Sequence, residues 1–163
     1  MINNINELER VRGECRKLVT RRSLASAAVT AIPIPGPDVA TDLAVLMEML
    51  PKINRKFGLS PDQIDDLDMH TKGRIAAIAA SLGSSFIGKT ITKEAVSLVF
   101  KKVGLRVAAK STAKYVPIIG TAVATTISFA AMKWIGDSHI DDCYSAVKHI
   151  IDAGDASGAE VHQ

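Results

Sequence analysis

The chain has 163 residues, of which 47% are hydrophobic and only 4% aromatic, and its mean hydropathy is +0.17. Twenty Lys and Arg against 17 Asp and Glu leave a net charge of +3, a balance that argues against a dedicated nucleic-acid binder. Cys15 and Cys143 stand near opposite ends without metal-ligand spacing, which excludes a disulfide-rich scaffold. The size predicts one helical domain over residues 1–153 and a disordered tail over 154–163.

The N-terminal residues predict an amphipathic, basic first helix. Glu7, Glu9 and Glu14 precede any apolar run, unlike the basic start of a signal peptide, so we expect a cytoplasmic protein. Apolar side chains recur every three to four residues over 5–22, with basic residues largely elsewhere. The small apolar run 23–32 can prolong this helix up to the prolines that follow.

The second and third helices have recognisable start signals. Pro37 suits a first helical position, and Asp38 suits the positive end of a helix that runs past Leu50 to Gly58 and that Pro51 is expected to kink. Ser60 can cap the next helix, whose Gln63 completes a capping box. We expect that third helix to continue through residues 74–83.

The second half of the chain predicts four further helical segments. Two helices are indicated on either side of Gly104, over Thr92–Val103 and Leu105–Lys114. The next helix runs from Gly120 to Trp134, and the last one covers 138–153. No segment alternates with period two between hairpin turns. The predicted fold class is therefore all-α, a compact helical bundle of six to seven helices.

Two stretches of the chain share one short sequence pattern. "AIPIPGPDVATDL" and "YVPIIGTAVATTI" share six identities within nine consecutive positions, which favours duplication over convergent use of proline and glycine. We predict two pseudo-repeated αα-hairpins, with structural corners at Pro33 and Gly36 and at Pro117 and Gly120.

These stretches also carry a family resemblance. "IPIPGPDVATDLAVL", "NRKFGLSPDQIDDL" and "VPIIGTAVATTISFAAM" resemble the helical domain of immunity-related GTPases, a pattern shared by small bacterial helical proteins of uncharacterised function. The resemblance covers residues 21–152 and has no counterpart for the nucleotide-binding domain of that family. It implies a helical module that associates with membranes and with partners or itself, rather than a catalyst.

One segment matches a phosphate-binding motif. In "GSSFIGKT", Gly83, Gly88, Lys89 and Thr90 fit the P-loop pattern G-x-x-x-x-G-K-[ST]. A P-loop follows a buried strand, whereas the preceding residues here are Ala-rich and predict a helix. A helix–helix corner is the favoured interpretation, and nucleotide binding is an alternative.

Other candidate chemistry is weaker. Asp38 and Asp42 lie one helical turn apart, and carboxylates near a helix N-terminus are stabilised without a catalytic role. His139 and Cys143 have metal-binding spacing, but two ligands make a poor site, and we expect His139 to face solvent with Cys143 at the core edge. We predict no enzyme, no metal and no cofactor.

Basic clusters are the main candidate binding feature. Lys102, Arg106, Lys110 and Lys114 repeat every four residues and form one stripe, and the first helix adds Arg16, Lys17, Arg21 and Arg22. They can meet anionic phospholipid headgroups or be merely a solvated face. Neither cluster carries aromatic stacking residues, so we expect no nucleic-acid partner.

Membrane crossing is not expected. The uncharged run 115–132 contains the second corner, which leaves too few helical residues to span a bilayer. The leading hypothesis is a non-enzymatic module, peripheral on an anionic membrane surface or bound to a protein partner such as a GTPase, or forming a homo-oligomer. A membrane-inserting toxin or effector is the rival.

Overall fold

The computed structural model describes the backbone of residues 2–30, 39–110 and 120–159, and the side chains of residues 2–28, 41–107 and 128–153. Six helices and no strand lie within these ranges. The all-α prediction is therefore confirmed for the described residues. The helices are α1 (Ile5–Thr30), α2 (Val39–Phe57), α3 (Pro61–Asp65), α4 (Met69–Ser81), α5 (Lys93–Lys110) and α6 (Gly120–Ala159). Among the described residues, no helix combines the length and apolarity needed to cross a bilayer.

Two compact units divide the chain. Unit 1 contains Met1–Cys15, Pro51–Thr90 and His139–Gln163, and unit 2 contains Arg16–Leu50 and Ile91–Ser138. Residues of α1, α2 and α6 therefore contribute to both units. The single domain over 1–153 stays a prediction, and α6 is helical as far as Ala159, inside the segment predicted as a tail.

Unit 1 has an apolar core drawn from α1, α2, α4 and α6 and from the loops that contain Leu59 and Phe86. Fully buried side chains include Leu8 of α1, Ile53 and Phe57 of α2, and Ile140 of α6. At its surface Arg12 bonds Asp141 at 2.8 Å and stacks on the Tyr144 ring, 4.4 Å from its centroid. Arginine suits both roles because its planar cation pairs with carboxylates and lies on aromatic faces.

Unit 2 has a core of α1, α2, α5 and α6 side chains. Its fully buried members include Val19, Leu46, Leu50 and Met132. Gly136 of α6 packs so closely that a Cβ there would lie 2.7 Å from both methyl carbons of Val19 and 3.2 Å from Met49 Cε. Only a residue without a side chain permits this approach.

The third helix is shorter than predicted. It starts at Pro61 as expected, with the Ser60 N–H donating to Gln63 Oε1 at 3.3 Å. It ends at Asp65, however, and a new helix begins at Met69. The break follows from Asp68, whose carboxylate accepts the Thr71 N–H at 3.0 Å and so caps α4 instead of continuing α3.

Two predicted helix breaks are absent. Gly104 lies inside a continuous α5, because a single glycine weakens a helix only by about 1 kcal/mol and does not end it. The segment around Gly136 is likewise helical, so the last two predicted helices form one 40-residue helix, α6.

The predicted corners fall largely outside the described residues. Pro33, Gly36 and Pro117 are not among them, and Gly120 is the first residue of α6. The paired hairpins built on these corners therefore remain a prediction.

Candidate functional site

An exposed amphipathic surface on α5 is the strongest candidate site, and we call it the α5 face. It consists of Leu98, Lys101, Lys102, Leu105 and Arg106. The two leucines are 72% and 73% exposed, although leucine is normally a core residue. They are seven positions apart in the sequence, so they lie within about 20° of each other around the helix.

Basic residues flank these leucines on both sides. At 100° per residue, Lys101 precedes the leucine line and Lys102 and Arg106 follow it, and all three are exposed. Among the described side chains none of the three forms an ion pair, while Glu94 lies one turn before Leu98. An apolar centre between cations is typical of helices that lie in a membrane interface.

The structure supports part of the predicted basic stripe. Lys102 and Arg106 are exposed on one face, as the four-residue spacing predicts. Lys110 is the last residue of α5 with its side chain outside the described set, and Lys114 lies outside the described residues. The sequence reasoning missed Leu98 and Leu105, whose seven-residue spacing on the same face was the available signal.

The basic residues of α1 are less uniform. Arg16, Lys17 and Arg21 are exposed, as is Leu24. Arg22, in contrast, donates to Glu48 of α2 at 2.8 Å and is partly covered. Arg22 therefore joins two helices of unit 2, a role that weakens its claim as a binding residue.

Charge differs between the two units. Unit 2 carries eleven Lys and Arg against five Asp and Glu, a net charge of +6, whereas unit 1 carries nine against twelve, a net charge of −3. The most exposed leucines, including Leu24, Leu98 and Leu105, also belong to unit 2. The positive charge and the exposed leucines thus lie in the same part of the chain.

The P-loop-like segment is a turn with internally bonded amides. Helix α4, not a strand, precedes it. The backbone N–H groups of Ser84 and Gly88 donate to the carbonyls of Ala79 and Leu59 at 3.0 and 3.2 Å. Amides bonded in this way do not point at a phosphate, as those of a P-loop must.

The glycines of this segment have structural roles. Gly83 and Gly88 both have φ +64°, a conformation that glycine adopts readily. A Cβ on Gly88 would also lie 2.8 Å from Ile64 Cδ1. Lys89 and Thr90 are exposed beside the buried Phe86 and Ile87. These contacts favour the predicted helix–helix corner.

His139 corrects one sequence expectation, because it is buried rather than solvent-facing. Its side chain is 2% exposed, and its ring meets Phe86 edge-on at 5.6 Å between centroids. The thiol of Cys143 lies 3.7 Å from His139 Nε2 and 3.5 Å from Asn54 Oδ1, and Asn54 Nδ2 donates to the Phe86 carbonyl. Burial lowers the pKa of His139 to about 4, so the imidazole is neutral at physiological pH.

These buried groups do not form a metal site. Within the described side chains, no three His, Cys, Asp or Glu residues are grouped for a metal ion. Burial raises the pKa of Cys15 to about 11 and that of Cys143 well above its usual value. Both thiols therefore stay protonated and are poor nucleophiles.

Asp42 is a buried polar residue of unit 2. It lies in the first turn of α2, is 3% exposed, and accepts hydrogen bonds from the hydroxyls of Ser26 and Ser128. Its position joins α1, α2 and α6 around one carboxylate. Asp38, its predicted neighbour, lies outside the described residues.

Comparison with known proteins shows that the chain is similar to part of interferon-inducible GTPases. The chain is 28% identical over 131 residues to interferon-inducible GTPase 5 of Bos taurus and 27% identical to its Rattus norvegicus counterpart. Each match covers 79% of this chain but only 28% of the relative, so the chain spans about a quarter of their length. No family model and no solved structure matches it. Over most of its own length the chain is similar to part of an interferon-inducible GTPase.

Proposed function

We propose that the chain is a non-enzymatic helical module that binds anionic membrane surfaces peripherally through unit 2. One observation carries the proposal: the α5 face exposes two leucines between three cations, in a unit of net charge +6. Cations near an anionic bilayer contribute about 1 kcal/mol each, and exposed leucines enter the headgroup region. The module acts in the cytoplasm, at the membrane surface.

Vesicle co-sedimentation tests this proposal. Wild-type protein should pellet with phosphatidylserine vesicles but not with pure phosphatidylcholine vesicles, and binding should fall as salt rises. The double variant Lys102→Glu with Arg106→Glu removes two cations and so weakens the free energy of membrane binding by about 2 kcal/mol or more. The partition coefficient should therefore drop about 30-fold or more.

A matched control changes the same charge on the other unit. Lys89 and Lys148 are exposed residues of unit 1, and their double change to Glu should leave vesicle binding nearly intact. If wild-type protein fails to bind anionic vesicles at low salt, the membrane proposal is wrong. Dye release from those vesicles would instead favour the toxin alternative, and nucleotide retention in equilibrium dialysis would favour the P-loop alternative.

A GTPase partner is the second candidate function. The relatives of this chain are named as GTPases, and the chain matches only 28% of their length. Because the chain is similar to a part of such a protein, a GTPase that lacks this part is a candidate partner. Co-elution with a purified interferon-inducible GTPase, loaded with GDP or with a non-hydrolysable GTP analogue, checks this. Separate elution in both nucleotide states would contradict it.

A further inference from the structure

The connection between α3 and α4 in unit 1 is an exposed acidic surface, which we call the acidic knuckle. It consists of Asp62, Asp65, Asp66, Asp68 and Met69. All five are exposed, and Met69 is 82% exposed at the first position of α4. One exposed apolar side chain thus follows four exposed aspartates within eight residues of the chain.

Two of these carboxylates have no cation partner in the described part of the chain. Asp62 pairs with Arg55 at 2.9 Å, and Asp68 caps α4. Asp65 and Asp66 form no ion pair there, although Lys72 donates to the backbone carbonyl of Asp65 at 2.7 Å. Both side chains are therefore available to cations from outside.

The α5 face is the chemical complement of this knuckle. It places exposed leucines between Lys101, Lys102 and Arg106, where the knuckle places an exposed methionine among aspartates. Two α5 faces cannot pair symmetrically without setting six cations against each other. Opposite charges around apolar centres instead favour a contact between unlike surfaces.

We propose that the α5 face of one copy binds the acidic knuckle of a second copy, so that the chain self-associates head to tail. Charge complementarity selects this occupant, because unit 2 has net charge +6 and unit 1 has net charge −3 on the same chain. A contact between unlike surfaces leaves one of each surface free, so assembly continues beyond two copies or closes into a ring.

The contact has a consequence for the membrane surface proposed above. Because anionic lipid and the acidic knuckle would occupy the same α5 face, vesicles should dissociate the assembly. Self-association itself does not require membrane binding. Both events weaken with salt because the charges involved are exposed.

Sedimentation velocity over rising protein concentration, at low salt, tests the contact. The average mass should climb from the 17.4 kDa of one chain to twice that value or more. Asp65→Lys with Asp66→Lys should hold the protein at one chain mass, as should Lys102→Glu with Arg106→Glu. All four positions are exposed, so circular dichroism should show unchanged helix content.

Mixing the two variants is the decisive measurement. The aspartate variant keeps its α5 face and the basic-residue variant keeps its knuckle, so their equimolar mixture should regain the higher mass. A wild-type protein that stays at one chain mass at every concentration overturns the proposal, and so does a mixture that stays monomeric. The aspartate variant should still bind phosphatidylserine vesicles, which separates failure of this contact from failure of membrane binding.

Discussion

His139 illustrates how one residue sets a pH dependence of stability. Its pKa is about 4 in the folded protein, below the usual value of 6.5, so the unfolded chain binds more protons between these two values. Stability from the neutral imidazole is complete above pH 6.5 and is lost as pH falls toward 4. We expect the free energy of unfolding to fall by about 3 kcal/mol over that interval from this residue.

Urea unfolding at several pH values measures the effect. His139→Phe keeps an aromatic ring against Phe86 and removes the titrating group, so its loss of stability between pH 6.5 and 4 should be smaller than that of wild type. His70 is exposed, and His70→Gln serves as the control for replacing a histidine at the surface. Parallel pH profiles for wild type and His139→Phe would show that His139 does not titrate in this range.

The exposure of some single residues could be predicted from the sequence, and the burial of others could not. The exposure of Lys102 and Arg106 was predictable, because a four-residue spacing on a helix defines one face. Burial of His139 and Asp42 was not, since each depends on side chains distant in sequence: Phe86 against the imidazole, and Ser26 and Ser128 around the carboxylate. Polar residues are buried where such partners exist.

At the scale of elements, two helical glycines should respond oppositely to alanine. Gly136→Ala places a methyl group 2.7 Å from a stiff Val19 side chain, and we expect a loss of about 1–3 kcal/mol. Gly104 has nothing within 4 Å of its would-be Cβ, so Gly104→Ala should stabilise α5 by about 0.5–1 kcal/mol. Urea titrations with unchanged slopes check both values.

A second substitution identifies the cause at Gly136. Val19→Ala alone should destabilise the core, but combined with Gly136→Ala it relieves the overlap, so the double variant should lose less than the sum of the single losses. Strict additivity would mean that α1 and α6 do not press on each other at this point.

Helix existence was easier to predict than helix ends. Apolar spacing predicted α1 and α2, because that pattern follows directly from the helical repeat, and the capping signals at Ser60 and Gln63 predicted the start of α3. The break before α4 depends on Asp68 capping a new helix, and α5 and α6 continue through Gly104 and Gly136 because one glycine costs a helix only about 1 kcal/mol. Glycine lowers helix propensity but does not determine the outcome.

At the scale of the whole molecule, each unit has its own spectroscopic or chemical reporter. Trp134, the one tryptophan in the sequence, belongs to unit 2, and both cysteines belong to unit 1. Because α1, α2 and α6 contribute residues to both units, we expect the two to unfold together. Tryptophan fluorescence and thiol modification by a disulfide reagent should give one urea midpoint. A lower midpoint for the thiols would show that unit 1 unfolds first.

The buried cysteines make the native chain a ready background for site-specific chemistry. Cys15 and Cys143 are buried and protonated, so thiol reagents should react with them only slowly while the protein is folded. A new cysteine at an exposed position would then be the fast-reacting thiol of the molecule. Met69→Cys in one population and Leu98→Cys in another, joined by a short bifunctional maleimide, would trap neighbouring copies without first removing any natural sulfur.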